Sequence, residues 1–503
     1  MSVSRRSFMT ASAAITAFSG SGTILPGLRS VSAAEAQMPD GVVRLRPEIE
    51  PLVQLIENTE RGKLLEEIGR RIRDGLSYRE VLAALLLAGV RNVEPRPAVG
   101  FKFHAVLVVN SAHIASLAAP DRDRWLPILW AIDEFKSSQA RDVEEGNWTM
   151  PRVDESRIPA GSALRDSFHQ SMKNWDEGLA DVSAAGIARQ FGAGETLELF
   201  AAYAARDFRS IGHKPIFLAN AWRTLQTIGW EHAEPILRSL AYAMLNHNGE
   251  PNPAGNDLAP DRSWKMNSTL LKDVRADWEH GRVDDSAVRE LIAVLHTGTP
   301  EDAARSVVAQ LNDGIGPQSI FNSLHLAASE LLMRQSGIVS LHASTTTNAM
   351  RFLFDHVSTP STRLSLLLQN AAFLPQFREA MKSRGAVSAD RILELAPAEN
   401  AGSVSLEAIF NDVGKARMSA GKQVLAWLDA GNSAGLLADA ARRLVFLKGN
   451  DSHDYKFSSA VLEDCLKLTP EYRNRYLAAS TWMLKGSTFP TNSLVDRIRS
   501  ALN

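Results

Sequence analysis

From Pro47 onward, apolar residues recur every three to four positions and alternating apolar–polar runs are few, the period of helices with one buried face. Several segments add the chemistry of a helix start. Ser77-Tyr78-Arg79-Glu80 has the Ser-x-x-Glu order of a capping box and leads into an apolar run ending at Val90. Thr299-Pro300-Glu301-Asp302 sets a cap residue ahead of a first-turn proline and two carboxylates, and Thr469-Pro470-Glu471 repeats that order. The same periodicity predicts helices over 101–118, 122–136, 179–192, 194–208, 213–227, 231–246, 316–334, 338–356, 361–382, 418–430 and 434–447. The fold class that follows is all-α, with packed helical hairpins in a single large array.

Three stretches interrupt the pattern. Residues 143–162 and 247–262 are rich in Gly, Pro and Asn and read as long loops. The break from Pro397 to Ser403 divides a main helical domain, 37–396, from a C-terminal helical unit, 397–503, whose docking on the main domain is left open by the sequence.

Aligning the helices against one another reveals a repeat that carries histidine. One copy runs from His213 to Asn220-Ala221-Trp222-Arg223 and then Pro235-Ile236-Leu237-Arg238. A second runs from His342 to Asn348-Ala349-Met350-Arg351 and then Pro360-Ser361-Thr362-Arg363. A weaker third copy is His104 to Asn110-Ser111-Ala112-His113, with histidine in the arginine slot. The unit is a helical hairpin, and its recurrence points to an internal duplication. Hairpins paired about a pseudo-twofold axis would bring His213 and His342 to one central pocket. His325, on an otherwise apolar helix, adds a further candidate ligand.

Composition narrows the chemistry. A hydrophobic fraction of 45% supports a substantial core, and the net charge of −2 has no long run of either sign behind it. Nucleic acid and anionic membrane surfaces are therefore not expected as main partners. The longest apolar run, Val81 to Val90, falls short of the ~20 residues of a membrane span. Cys465 is the only cysteine, so an intramolecular disulfide, an all-cysteine zinc site and a multi-thiolate iron–sulfur cluster are excluded. Acidic neighbours Glu463 and Asp464 also make Cys465 a poor nucleophile. A metal must then rest on imidazoles or carboxylates, yet no His-Glu-x-x-His or paired Glu-x-x-His motif occurs. The polar segment Lys448 to Phe457 holds His453 between Asp451 and Asp454, an arrangement suited to a cation or a substrate. Trp222, Trp230, Trp264 and Trp278 lie near the His213 hairpin in sequence and would line an aromatic pocket or fill core.

Gly212-His213-Lys214-Pro215-Ile216 with Ala233-Glu234-Pro235, and Leu341-His342-Ala343-Ser344-Thr345 with Asn348-Ala349, resemble the questin oxidase-like family over roughly residues 100–380. The resemblance implies an α-helical oxidoreductase with Baeyer–Villiger-type oxygen insertion into an aromatic substrate and NADPH as electron donor. No Gly-x-Gly-x-x-Gly turn marks a dinucleotide site in this chain. The first residues, Ser4-Arg5-Arg6-Ser7-Phe8-Met9, resemble a twin-arginine (Tat) export signal, with a small-x-small cleavage site at Ala34-Glu35-Ala36. This predicts a signal peptide over 1–36, the Tat translocase as a partner, and a periplasmic or otherwise exported protein beyond the cytoplasmic nicotinamide pool.

Together these features predict an exported oxidoreductase acting on a hydrophobic or aromatic small molecule. His213, His342, His104 and His325 are the candidate ligands of iron or another redox metal, and His213 and His342 are alternatively acid/base groups. Asn220 and Asn348 are expected to orient the rings or bind substrate oxygen, and Arg223 and Arg351 to balance charge. The alternative is a non-catalytic α-helical repeat scaffold for a partner or cell-envelope ligand, in which the hairpin histidines lie far apart.

Overall fold

A computed structural model describes residues 41–399 and 404–503; the stretch 1–36 expected to be an export signal and most of the Pro397–Ser403 break lie outside them. Among the described residues the chain forms twenty-three α-helices, and extended pairing is limited to two isolated bridges, Val42 with Pro151 and Arg282 with Ile315. The all-α expectation holds. Ser77 caps the helix Tyr78–Asn92 through the expected reciprocal box with Glu80, and Thr299 does the same with Asp302 for Pro300–Asn312.

Two apolar cores hold the array together. The larger runs from Val43 to Met381 and takes in Val445, Phe446, Tyr455, Val495 and Ile498 from the C-terminal unit. The second joins Leu326, Leu332 and Leu341 to residues from Ile392 to Leu484. The C-terminal unit is therefore docked: each core draws side chains from both sides of the 397–403 break. Its helix Ser452–Asp464 packs on Ile338–His356, and the last helix, Leu494–Leu502, returns to Arg61–Arg73 near the N-terminal end.

No single described helix is long and apolar enough to cross a membrane; one bent pair, Phe101–Leu107 with Val109–Ala118, passes on length and composition together. That pair lies in the core, with Leu107, Val108 and Ala112 fully buried. Three further helices close a ring with its second half: Val109–Ala118 packs on His213–Ile228, which packs on Ile338–His356, which packs on Ser452–Asp464, which returns to Val109–Ala118. This four-sided arrangement positions the site.

Candidate metal centre

Three of these elements carry a histidine in or near their first turn, and a fourth histidine, His104, opens the short helix His104–Leu107 that leads into Val109–Ala118. His104 and His213 are the first α-helical residues after a short 3-10 turn, Phe101–Phe103 and Ser210–Gly212 respectively. His453 lies in the first turn of Ser452–Asp464, and His342 one turn into Ile338–His356. Both 3-10 turns are entered through the left-handed region, with φ of 46° at Phe101, 50° at Ser210 and 43° at Ile211. A β-branched residue held there costs on the order of 1–3 kcal/mol, and the turn it permits aims the His213 ring inward. Backbone approach is also close. A Cβ at Gly100 would stand 3.2 Å from the His213 ring, and one at Gly212 (φ 79°) would stand 2.1 Å from Thr346 Oγ1.

The four rings converge. His104, His213, His342 and His453 each offer one nitrogen, all within 4.8 Å of one another. His213 Nε2 lies 2.9 Å from His104 Nε2 and 2.8 Å from His342 Nε2. The other nitrogens are committed. Nδ1 of His213 donates to the Ser210 carbonyl at 2.5 Å and Nδ1 of His342 to the Ile338 carbonyl at 2.6 Å. His104 is tied to the Phe101 carbonyl, and His453 Nδ1 meets the Asp451 carboxylate at 2.5 Å. Asp451 is also the N-cap of its helix and accepts the His453 backbone N–H at 2.7 Å.

These bonds fix the tautomers. A carbonyl can only accept, so His213 and His342 carry their protons on Nδ1 and, when neutral, present bare Nε2 lone pairs to each other. Burial holds the rings of His104, His213 and His342 well below the usual imidazole range, reinforced by the Lys456 ammonium and by one another. His453 is lowered too, chiefly by burial, with the Asp451 hydrogen bond opposing it. Facing lone pairs at 2.8 Å repel unless a cation lies between them. The donor set thus fits a transition metal: neutral imidazoles inward, with carbonyls and a carboxylate outward as supporting partners. Two nitrogens 2.8–2.9 Å apart subtend about 90° at a metal ~2.0–2.1 Å from each, whereas tetrahedral ligands would stand about 3.3 Å apart. Both observed spacings are short enough for one ion to reach the Nε2 atoms of His104, His213 and His342 together.

The remaining sequence candidates fall into a second network. Asn220 donates to the Leu107 carbonyl at 3.0 Å and accepts from Arg223. Arg223 also reaches Asn348 and pairs with Glu463 at 2.7 Å, while Asn348 donates to Glu463 and to Asp464. Asn220 and Asn348 therefore do not orient the rings. Each lies six or seven residues along a helix from its histidine, a rise of ~10 Å that a side-chain amide cannot span. Arg351 pairs with Asp355 at 2.9 Å and lies over the Phe321 ring. His325 is outside the cluster. Its helix, Pro317–Arg334, packs on Ile338–His356 and Pro470–Ser480 and presents the ring to Asp464, 3.5 Å away, and to Tyr476. His113 is held by Tyr78 and Thr227. Trp222 packs edge-to-face on Trp230 and the buried Trp278 packs on Phe354, so these rings serve packing. The Cys465 thiol is pushed up to about 11 by burial and Asp464, which leaves it inert.

His453 takes the fourth place. Its sequence signal, a histidine two residues after a helix-capping aspartate, was visible as a local cation site but carried nothing that tied it to the repeats. Lys456, one turn further along the same helix, belongs to the same polar segment, in which nothing set it apart. It is 2% exposed, its Nζ has no hydrogen-bond partner, and burial pushes it down to about 7. It lines a polar cavity of about 10 Å³ together with Asn110, Asn220, Arg223, Asn348 and Glu463.

Comparison of the chain with family models, with curated proteins and with solved structures returns no match.

Proposed function

We propose that this protein is an oxidoreductase working through a redox-active transition metal, iron by preference, held by His104, His213, His342 and His453. One observation carries the reading: four buried or half-buried imidazoles, each with a nitrogen within 4.8 Å of the others' and each also hydrogen-bonded to a carbonyl or carboxylate. The scaffold alternative expects the hairpin histidines far apart, whereas His213 and His342 are 2.8 Å apart at Nε2.

A bound redox metal would supply electron transfer and activation of an oxidant. The chain's own work is to keep its ligands neutral by burial, to lock their tautomers through Ser210, Ile338, Phe101 and Asp451, and to hold their spacing on four packed helices. His104 and His453 are the two rings with appreciable exposure, 17% for the His453 side chain. A hydrophobic or aromatic substrate, as the questin oxidase-like resemblance implies, would approach over those two. The cavity on the Lys456 side has room for about one water, so only a small reactant fits there. Export by the Tat route, which carries folded cargo, accords with a centre loaded before translocation.

The test is metal analysis with absorption spectroscopy on protein purified from a native-like host. Near-stoichiometric iron, copper or manganese, lost in His213→Ala and His342→Ala but retained in His325→Ala, supports the reading and licenses an oxidation screen with aromatic substrates. Folded wild-type protein that takes up no such metal on reconstitution overturns it.

A further inference from the structure

Beside the histidines, the same helices bury a lysine whose Nζ has no hydrogen-bond partner. Lys456, on Ser452–Asp464, lines a small cavity together with Asn110, Asn220, Arg223, Asn348 and Glu463. The other charges there are spoken for. Arg223 and Glu463 pair at 2.7 Å, and Asn348 donates to Glu463 and Asp464. Asp451, the carboxylate whose charge acts on Lys456, is engaged by the His453 ring and by its helix cap. Lys456 Nζ is buried and makes no hydrogen bond. An isolated ammonium in such a place is expensive unless a counter-charge joins it, and the cavity supplies the space for one: about 10 Å³, the room one water occupies. Larger organic anions are excluded by size.

We infer that this cavity is a binding site for one small inorganic anion, of the size of fluoride, held by the Lys456 ammonium and bounded by the amides of Asn220 and Asn348. The site requires no metal. If the four histidines hold one, the anion lies in its neighbourhood, since Lys456 is near enough for its charge to act on all four rings. An anionic reactant or product of the centre would then meet the Lys456 ammonium on arrival.

Fluoride is the probe, followed by 19F line broadening on the full chain after metal removal by chelation, and again on the metal-loaded protein. Saturable binding to the metal-free protein is expected, weakened at least tenfold in Lys456→Met, whose side chain is of similar length and uncharged. Glu463→Gln removes the anionic partner of Arg223 and should tighten binding several-fold; it keeps the inference testable if Lys456→Met fails to fold. Absence of saturable binding to folded, metal-free protein overturns the inference, as does binding that neither substitution alters. Binding confined to the metal-loaded protein and indifferent to Lys456→Met would assign the fluoride to the metal, overturning this site while leaving the four-histidine centre intact.

Discussion

At the scale of single residues, hydrogen bonding decides the chemistry of the centre. A histidine whose Nδ1 proton goes to a carbonyl has its Nε2 free for a metal, and His213 and His342 are held that way by Ser210 and Ile338. Gly212 is the tightest point of this support, because its φ of 79° and its contact with Thr346 both exclude a Cβ. Gly212→Ala is expected to lower the melting temperature and to reduce metal content together, measured by calorimetry and elemental analysis. A variant that melts as wild type and binds metal fully would show that the turn does not set the His213 ring. The second network makes a pH prediction. Burial, with Glu463 nearby, pushes the Asp464 carboxyl up to about 7. The folded state then holds a proton that the unfolded chain releases near pH 4, so this group's stabilising effect is present at low pH and lost as pH rises towards 7. A shift of this size corresponds to up to about 4 kcal/mol across that interval. Asp464→Asn should remove that component, flattening the pH 4–7 stability profile in denaturant titrations; an unchanged slope would show that Asp464 is not its source.

At the scale of elements, the helix start is the recurring device. His104 and His213 follow matching 3-10 turns, so the weakest copy of the repeat is locally the closest structural match to the His213 copy, whereas His342 lies within a continuous helix. Sequence periodicity could identify all these helices because each buries an apolar stripe, and histidine at a repeated slot drew attention to three of the four rings. It could not see the tight turns, since Phe101, Ser210 and Ile211 are not residues that signal a left-handed backbone. The Ser452–Asp464 helix joins its capping box to the centre through Asp451, whose carboxyl is held down to about 2 by the His453 hydrogen bond. Asp451→Ala should cost about 1 kcal/mol as a lost cap and weaken metal binding by about 10–100-fold as a lost ring support. Asp451→Asn, which can still cap, should keep most of the stability and lose affinity. Equal stability losses with no change in metal affinity in either variant would confine Asp451 to capping.

For the whole molecule, the docking of the C-terminal unit completes the site. Both apolar cores and the fourth histidine cross the 397–403 break. A chain ending at residue 396 would expose Leu326, Leu332 and Leu341 and lack His453. It is expected to be aggregation-prone or proteolytically labile, and to lose stoichiometric metal. A soluble, protease-resistant 37–396 fragment with full metal content would show that the main domain builds the centre alone. The sequence by itself determined the helical class, the capped starts at Ser77 and Thr299 (though not at Thr469, whose side chain makes no cap), the inert cysteine and the histidine-bearing repeat, because each is written in short-range spacing. Only the tertiary structure decided that His453 joins His104, His213 and His342 while His325 turns to Asp464, and that Lys456 is left without a partner. Those outcomes depend on which helix faces which across more than a hundred residues of chain, and that is set by the summed burial of many apolar side chains rather than by any local motif.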